Sequence, residues 1–300
     1  RPAGRRHRLR QEAGRQAELA SEGTRGHQPS AAQTRRRVVG ILFGRAGSVE
    51  VPGKNIKAIL GRPSLQYPLM AARASGIVEE LYVSTDSPAI LELAKPFDII
   101  PIQRPAHLAT NDALLEETIA HAFDVVEQRT PHPIDDYLIL LCNAVTVLPS
   151  RIRQAYELLG QDAQADSVTT VAKWNMFSPI RAWKRGPAGR ERLDPYVPLD
   201  LLQQTVAMSC DRDQSTDCFF CDHSFTLTRR ATLARLREHP GPFRWMGRHI
   251  RAIEQISGTG DVDVACQVPM VEWWLRQHGF TEERVPYQIA EPGHVSAASR

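Results

Sequence analysis

Residues 38–55 read VVGILFGRAGSVEVPGKN, a short apolar run followed by a loop that carries glycines, a proline and two cations, Arg45 and Lys54. The run is typical of a buried strand, and such a loop brings backbone N–H groups toward one anion. The glycine spacing does not fit the dinucleotide fingerprint G-x-G-x-x-G, and no Gly-Lys-Ser/Thr follows as in a P-loop. The stretch therefore predicts a strand that ends in a loop of another kind, suited to a polyphosphate.

Three further apolar runs, at 80–84, 137–141 and 167–172, are short and rich in Val, Ile and Leu. Helix-like stretches separate the first of these runs from its neighbours, and strands that alternate with helices predict an α/β fold with a mainly parallel sheet. Ligands of such sheets bind at the carboxyl ends of the strands. Asp86 and Asn143 both follow a predicted strand, so we expect them near the loop.

The 300 residues are 42% hydrophobic and 24% charged, enough for one large core or two modest ones. Residues 1–36 hold nine arginines, three glutamates and almost no large apolar side chain. We expect this extension to be disordered, residues 37–287 to form the folded domain and residues 288–300 to form a flexible tail. The extension lacks aromatic residues, so the pattern does not favour nucleic-acid binding.

No apolar stretch reaches the length of a membrane span, and no signal-peptide core follows the basic start. We therefore expect a cytoplasmic protein with reduced cysteines and no membrane partner. Cys218, Cys221 and His223 form a C-x-x-C-x-H pattern that admits a zinc site. The alternative is a strand whose small cysteines pack in the core or at a dimer interface.

The loop after the first strand resembles the opening of the acylneuraminate cytidylyltransferases, commonly A-R-G-G-S-K-G-x-P-x-K-N. This chain departs from that pattern at Val49, where the family has lysine, and at Glu50, where it has glycine. The positions that agree with the family pattern are Arg45, Gly47, Ser48, Pro52, Lys54 and Asn55.

The resemblance continues in chain order over roughly residues 37–282. The stretch VSTD resembles the end of the family's second strand, QRPAHLATNDA resembles its R-P-x-x-L-A-x-D-x-A segment with Arg104 as the arginine, and GDVD resembles D-I-D. Asn111 replaces an aspartate in the middle segment, and Cys142 replaces a glutamine expected to contact the sugar.

The resemblance implies a Rossmann-like nucleotide-diphospho-sugar transferase fold with a small dimerisation insertion at about residues 185–220. The implied reaction joins CTP and a nonulosonic (sialic-acid-like) sugar acid to give a CMP-sugar and pyrophosphate. It further implies a homodimer and Mg²⁺ held by Asp261 and Asp263, a carboxylate pair that suits this ion.

Each remaining candidate receives a role from the same mapping. Arg45 and Lys54 would be catalytic, binding the triphosphate together with the loop amides. Four residues of the later segments would bind the sugar acid, with Arg212 suited to its carboxylate because guanidinium binds carboxylates through two hydrogen bonds. The nucleotide-binding set is Gly44, Gly47, Ser48, Asn55, Arg104 and Asn143, and the sugar-binding set is Arg212, Phe219, Asp222 and His223.

Two alternatives stay open at the level of sequence. Asn143 and Ala144 replace residues of the family pattern, which allows a nucleotidyltransferase for another base or sugar. Val49, Glu50 and Asn111 allow a non-catalytic nucleotide-binding relative. If the chain is active, another cation must replace the missing lysine, and Lys57 and Arg62 are the nearest in sequence.

Overall fold

A computed structural model of the chain describes residues 35–47, 51, 53–186, 192–201, 211, 217–256 and 260–288. The expected disorder of the extension and the expected flexibility of the tail fall almost entirely outside these residues. The strands of the described part are β1 Val38–Phe43, β2 Ala58–Ile59, β3 Arg62–Pro63, β4 Val78–Thr85, β5 Ile100–Gln103, β6 Asp136–Leu141, β7 Ser167–Lys173, β8 Trp183–Arg185, β9 Leu193–Pro195, β10 Phe219–Arg229 and β11 Ile250–Gln255.

The main helices lie between the strands, as the alternation of patterns predicts. They are α1 Gln66–Ser75, α2 Pro88–Ala94, α3 Leu115–Arg129, α4 Pro149–Gln161, α5 Arg230–Ala234 and α6 Gln267–Gln277. Helix α2 begins after Ser87, whose hydroxyl accepts a hydrogen bond from the backbone N–H of Ile90, and α1 is followed by Gly76, which has a left-handed backbone (φ 70°).

The central sheet has seven strands in the order β11-β7-β10-β6-β1-β4-β5. Strand β10 runs antiparallel to both of its neighbours, β6 and β7, while the other pairs are parallel. The predicted α/β class with a mainly parallel sheet is confirmed. Because β10 is reversed, its first residues lie at the same edge of the sheet as the last residues of β1, β4 and β6.

Both faces of the sheet are covered. Along β1, Val38 and Leu42 pack in the core beneath α1, α2, α4 and α6, whereas Val39, Ile41 and Phe43 pack against α3 and Trp245 on the opposite face. Burial on both faces explains why this strand reads as a continuous apolar run rather than an alternating one. The polar residues at its end are thereby directed to the sheet edge.

Strands β8 and β9 form a small antiparallel hairpin apart from the central sheet. The hairpin overlaps the start of the insertion expected at about 185–220, most of which lies outside the described residues. Within the part of the chain that is described, no helix has the length and apolar character needed to cross a membrane.

Candidate active site

The glycine-containing loop that follows β1 leaves the sheet between the neighbouring strands β4 and β6. Gly44 follows β1, and its N–H donates to the carbonyl of Ser84 on β4 at 3.3 Å. On the other side, a Cβ on Gly44 would lie 2.3 Å from the sulfur of Cys142, a buried residue just after β6. Only glycine fits here, because any side chain would overlap the thiol.

Side chains from three segments fix the start of the loop. The Asn55 amide donates to the carbonyl of Arg45 at 2.8 Å, and the carboxylate of Asp86 accepts from the N–H of Ala46 at 3.0 Å. The Arg45 guanidinium donates to the side-chain oxygen of Asn111. Gly47 lies exposed in the loop, and Ser48, with the departures at 49 and 50, falls outside the described residues.

Opposite the loop, Asp263 forms an ion pair with Lys54 and accepts a hydrogen bond from the Asn143 amide at 3.1 Å. Asn143 follows β6, so this contact joins the end of the sheet to the second carboxylate of the GDVD stretch. Lys54, Asn143 and Asp263 are far apart in sequence, and the fold brings them together at one point.

Backbone contacts set the position of the acidic stretch. Asp261 forms an isolated antiparallel bridge with Ala144, and the N–H of Val262 donates to the carbonyl of Asn143 at 3.0 Å. The side-chain oxygen of Gln267 accepts from the N–H of Asp263 at 2.6 Å. The two carboxylates are therefore carried on an extended segment that is fastened to the end of β6.

The pair has the electrostatics of a cation site. Burial, and then the neighbouring carboxylate of Asp263, raise the pKa of Asp261 above its usual value. A divalent cation would remove this repulsion, and Mg²⁺ is commonly bound by one or two carboxylates together with substrate phosphates. The donor set of Asp261 and Asp263 thus fits Mg²⁺, and a nucleotide would supply the other oxygens.

Arg104 lies at the far side of the loop, after β5. Its guanidinium is buried and donates to the carbonyl of Ser84 at 2.7 Å, while its Nε has no hydrogen-bond partner among the described residues. Burial lowers the pKa of this side chain. An unpartnered N–H on a buried cation leaves a donor for a ligand.

These groups line a pocket of about 330 Å³ at the carboxyl edge of the sheet. Of the residues predicted from the sequence, the pocket is lined by Gly44, Arg45, Lys54, Asn55, Arg104, Asn143, His223, Asp261 and Asp263. Gly47, Phe219 and Asp222 are not among its lining residues, and Arg212 lies outside the described residues.

Asp222 and Phe219, which the family resemblance assigns to sugar binding, lie outside the lining of the pocket. The buried Asp222 carboxylate accepts from the hydroxyl of Thr170 and from the Gln255 amide at 2.6 Å, which turns it into the protein rather than toward the pocket. Phe219 is 47% exposed and pairs with Lys173 at the end of β7.

Two aromatic residues of the pocket wall could not be assigned a binding role from the sequence. Phe243 and Trp245 line the pocket next to His223, with the ring of Phe243 between the other two. Both belong to an irregular stretch after β10 that has no periodicity and no motif. The concentration of aromatic residues in GPFRWMG was the available signal, but it equally suits core packing.

The cations expected to replace the missing lysine do not lie in the pocket. Arg62 donates to the carbonyl of Thr281 at 2.6 Å, and neither Arg62 nor Lys57 lines the pocket. Among described residues the pocket cations are Arg45, Lys54 and Arg104.

The zinc alternative lacks a cluster in the structure. Cys221 and His223 belong to β10 and Cys218 immediately precedes it, and no group of three or more His, Cys, Asp or Glu side chains is placed to hold a metal ion in the described ranges.

Residues 39–171 match the Cytidylyltransferase family model. A CMP-N,N'-diacetyllegionaminic acid synthase from Legionella pneumophila is 31% identical over 123 residues, which are 41% of this chain and 53% of the relative. A pseudaminic acid cytidylyltransferase from Campylobacter jejuni is 30% identical over 39% of this chain and 50% of its own length. The chain thus spans about half the length of these curated relatives.

Solved structures share the fold at low identity. A CMP:2-keto-3-deoxy-manno-octonic acid synthetase complexed with CTP covers 81% of this chain and 99% of its own, with a TM-score of 0.57 and 18% identity. A 4-diphosphocytidyl-2C-methyl-D-erythritol synthase covers 80% and 99%, with a TM-score of 0.53 and 10% identity. The resemblance predicted from the sequence is confirmed over residues 39–171, which match the Cytidylyltransferase family model.

Proposed function

We propose that this chain transfers CMP from CTP to a nonulosonic sugar acid and releases pyrophosphate. The observation that carries the proposal is the meeting of Lys54, Asn143 and Asp263 at the end of β6, beside the loop that holds Arg45. Cations and paired carboxylates around one pocket are the groups that a nucleotidyl transfer requires.

The reaction needs one bond to form and one to break. The anomeric hydroxyl oxygen of the acid bonds to the α-phosphorus of CTP, the bond from that phosphorus to the pyrophosphate oxygen breaks, and the hydroxyl proton is lost to solvent. Arg45 and Lys54 would stabilise the negative charge on the departing pyrophosphate. Asn55 and Arg104 would hold the nucleoside, with Gly44, Gly47 and Ser48 lining its phosphates.

Lys54 is paired with Asp263 in the structure. The oxygens of a bound triphosphate would compete for its ammonium group, and Asp263 together with Asp261 would then hold Mg²⁺. Bound there, the ion would polarise the phosphoryl group toward attack.

The sugar acid would bind toward β10, where His223 lines the pocket, with Arg212 meeting its carboxylate. A homodimer would complete this part of the site. Large apolar side chains of the hairpin and its surroundings are exposed in the single chain, Trp183 at 61%, Leu193 at 58% and Tyr196 at 61%, which supports a covering partner. We expect light scattering to give twice the mass of one chain, and a monomer at working concentration would contradict this assembly.

Because CTP is a cytoplasmic metabolite, we place the reaction in the cytoplasm. Pyrophosphate release measured with CTP, UTP and GTP, each with several nonulosonic acids and Mg²⁺, tests the function. We expect release only when CTP and an acid are both present. Release with another nucleotide would favour a different nucleotidyltransferase, and no release with any combination would favour a non-catalytic nucleotide-binding protein.

A further inference from the structure

His223 has an unusual backbone conformation at the pocket wall. Its φ is 55°, in the left-handed region that residues other than glycine seldom adopt. The residue follows Cys221, at which the regular pairing of β10 with β7 is interrupted until Thr226. Strained residues of this kind persist only where the surroundings enforce them, and they are concentrated at functional sites.

The surroundings of His223 do enforce the conformation. A Cβ on Gly260 would lie 1.3 Å from the carbonyl oxygen of Asp222, so the peptide before His223 rests directly on the residue before Asp261. The Asp222 carboxylate also accepts from the N–H of Ser224 at 3.1 Å and from the Gln255 amide at 2.6 Å. His223 is thereby fixed relative to the paired carboxylates.

The imidazole itself is held for binding rather than for packing alone. It lines the pocket and lies against Phe243 with 5.0 Å between ring centroids, and Phe243 in turn meets Trp245 edge-on at 5.5 Å. Neither ring nitrogen of His223 has a hydrogen-bond partner within the described part of the chain. Burial lowers the pKa of this imidazole, against the opposing effect of Asp222 and Asp263, so the neutral form prevails near neutral pH.

The order of the strands assigns this group to the second substrate. Along the carboxyl edge, Arg104 follows β5, the loop with Arg45 follows β1, Asn143 follows β6 and His223 belongs to β10. Arg45 and Arg104 thus lie on one side of Asn143 and the carboxylate pair, while the imidazole of His223 lies on the other. A neutral imidazole suits a hydroxyl or acylamino group better than a phosphate.

We propose that His223 determines which sugar acid is accepted, by hydrogen bonding a hydroxyl or acylamino group of the acid and by limiting the space beside the carboxylate pair. This role rests on the proposed function. A residue that only maintained the shape of the pocket would affect CTP and every sugar acid alike. The role proposed for His223 instead predicts that selectivity among sugar acids changes while the affinity for CTP is retained.

The test compares the variants His223→Gly, His223→Phe and His223→Asn. Glycine accepts the left-handed backbone and removes the ring, phenylalanine keeps the ring but loses both nitrogens, and asparagine tolerates this backbone and keeps a polar group. Asp98→Gly is the matched control, because Asp98 has φ 50° and does not line the pocket.

Turnover is measured with CTP and three acids: an N-acylneuraminate, pseudaminic acid and 3-deoxy-manno-octulosonate. We expect His223→Gly and His223→Phe to raise the KM for the best acid by about 10-fold, the loss of one well-placed hydrogen bond, and to narrow the ratio of kcat/KM between best and worst acid. His223→Asn should recover part of the loss. The control and the KM for CTP should not change.

Unchanged acid KM and unchanged selectivity in both His223→Gly and His223→Phe would overturn the role of His223 while leaving the proposed function intact. A wild-type chain that releases no pyrophosphate with any of the acids would overturn the proposed function itself, and the role of His223 with it.

Discussion

The two parts of this domain contribute different kinds of residues to the pocket. Residues 39–171, the segment matched by the family model, contribute Arg45, Lys54, Arg104 and Asn143 to the lining of the pocket. The part from residue 172 onward contributes the reversed strand β10, the aromatic wall and the paired carboxylates. Contacts between residues distant in the chain hold both parts of the site, such as Arg45 with Asn111 in the first and Asp222 with Gln255 in the second.

Positive backbone angles illustrate the difference. In the first part the non-glycine residues with positive φ, Leu60 and Asp98, lie in connections away from the pocket lining, whereas His223 and Phe243 of the second part line it. Strain in the second part is therefore located at the site.

The largest effect is expected where the two parts meet. Asp263 of the second part contacts Lys54 and Asn143 of the first. Asp263→Asn keeps the size of the side chain and removes its charge, and we expect kcat to fall by about 100-fold or more, since charge stabilisation at a metal-assisted phosphoryl centre is worth several kcal/mol. Steady-state pyrophosphate release measures the change.

Asp124→Asn, an exposed position on α3, is the matched control and should keep full activity. Circular dichroism should give the same Tm for both variants within a few degrees. A kcat in Asp263→Asn equal to that of the wild type would show that the charge of Asp263 takes no part in the reaction.

A smaller effect, on stability alone, is expected at the opposite edge of the sheet. Arg36 forms an ion pair at 3.0 Å with Asp136, which is fully buried at the start of β6. Burial raises the pKa of Asp136 to about 6, while Arg36 and Arg229 oppose the rise and Asp135 adds to it. The raised pKa means that the ionised carboxylate costs stability above about pH 6, and that this cost is relieved as the pH falls toward the unfolded pKa.

Arg36→Ala removes the main partner of the ionised form. We expect it to destabilise the fold by about 3 kcal/mol near pH 7.5, where Asp136 is charged, and by clearly less near pH 5, where it is mostly protonated. Thermal unfolding at the two pH values measures the difference, with turnover unchanged relative to the amount of folded protein. Equal destabilisation at both pH values would show that the ion pair is not what stabilises this edge.

The sequence predicted candidate residues in both parts. Arg45, Lys54 and Asn55 were predicted because one strand and one loop carry them, and Asp261 and Asp263 because the GDVD stretch resembles the family's D-I-D segment. Phe243 and Trp245 were missed since only tertiary packing brings their irregular segment beneath β10.

Two further expectations show the limits of sequence distance. Arg62 lies close to the loop in the chain, yet its guanidinium is bound to the carbonyl of Thr281. Asp222 is next to a pocket residue, yet hydrogen bonds from Thr170 and Gln255 hold its carboxylate inside the protein. Proximity along the chain therefore did not give proximity in the site.

The central claim is that Arg45 of the first part contributes to CTP binding and that His223 of the second part does not. Calorimetric titration of CTP with Mg²⁺, in the absence of any sugar acid, tests it most directly on the wild type, Arg45→Ala and His223→Gly. We predict saturable binding of one CTP per chain, at least 10-fold weaker in Arg45→Ala because a charge-assisted contact is lost, and unchanged in His223→Gly. No CTP binding to the wild type, or loss of binding in His223→Gly, would contradict this account.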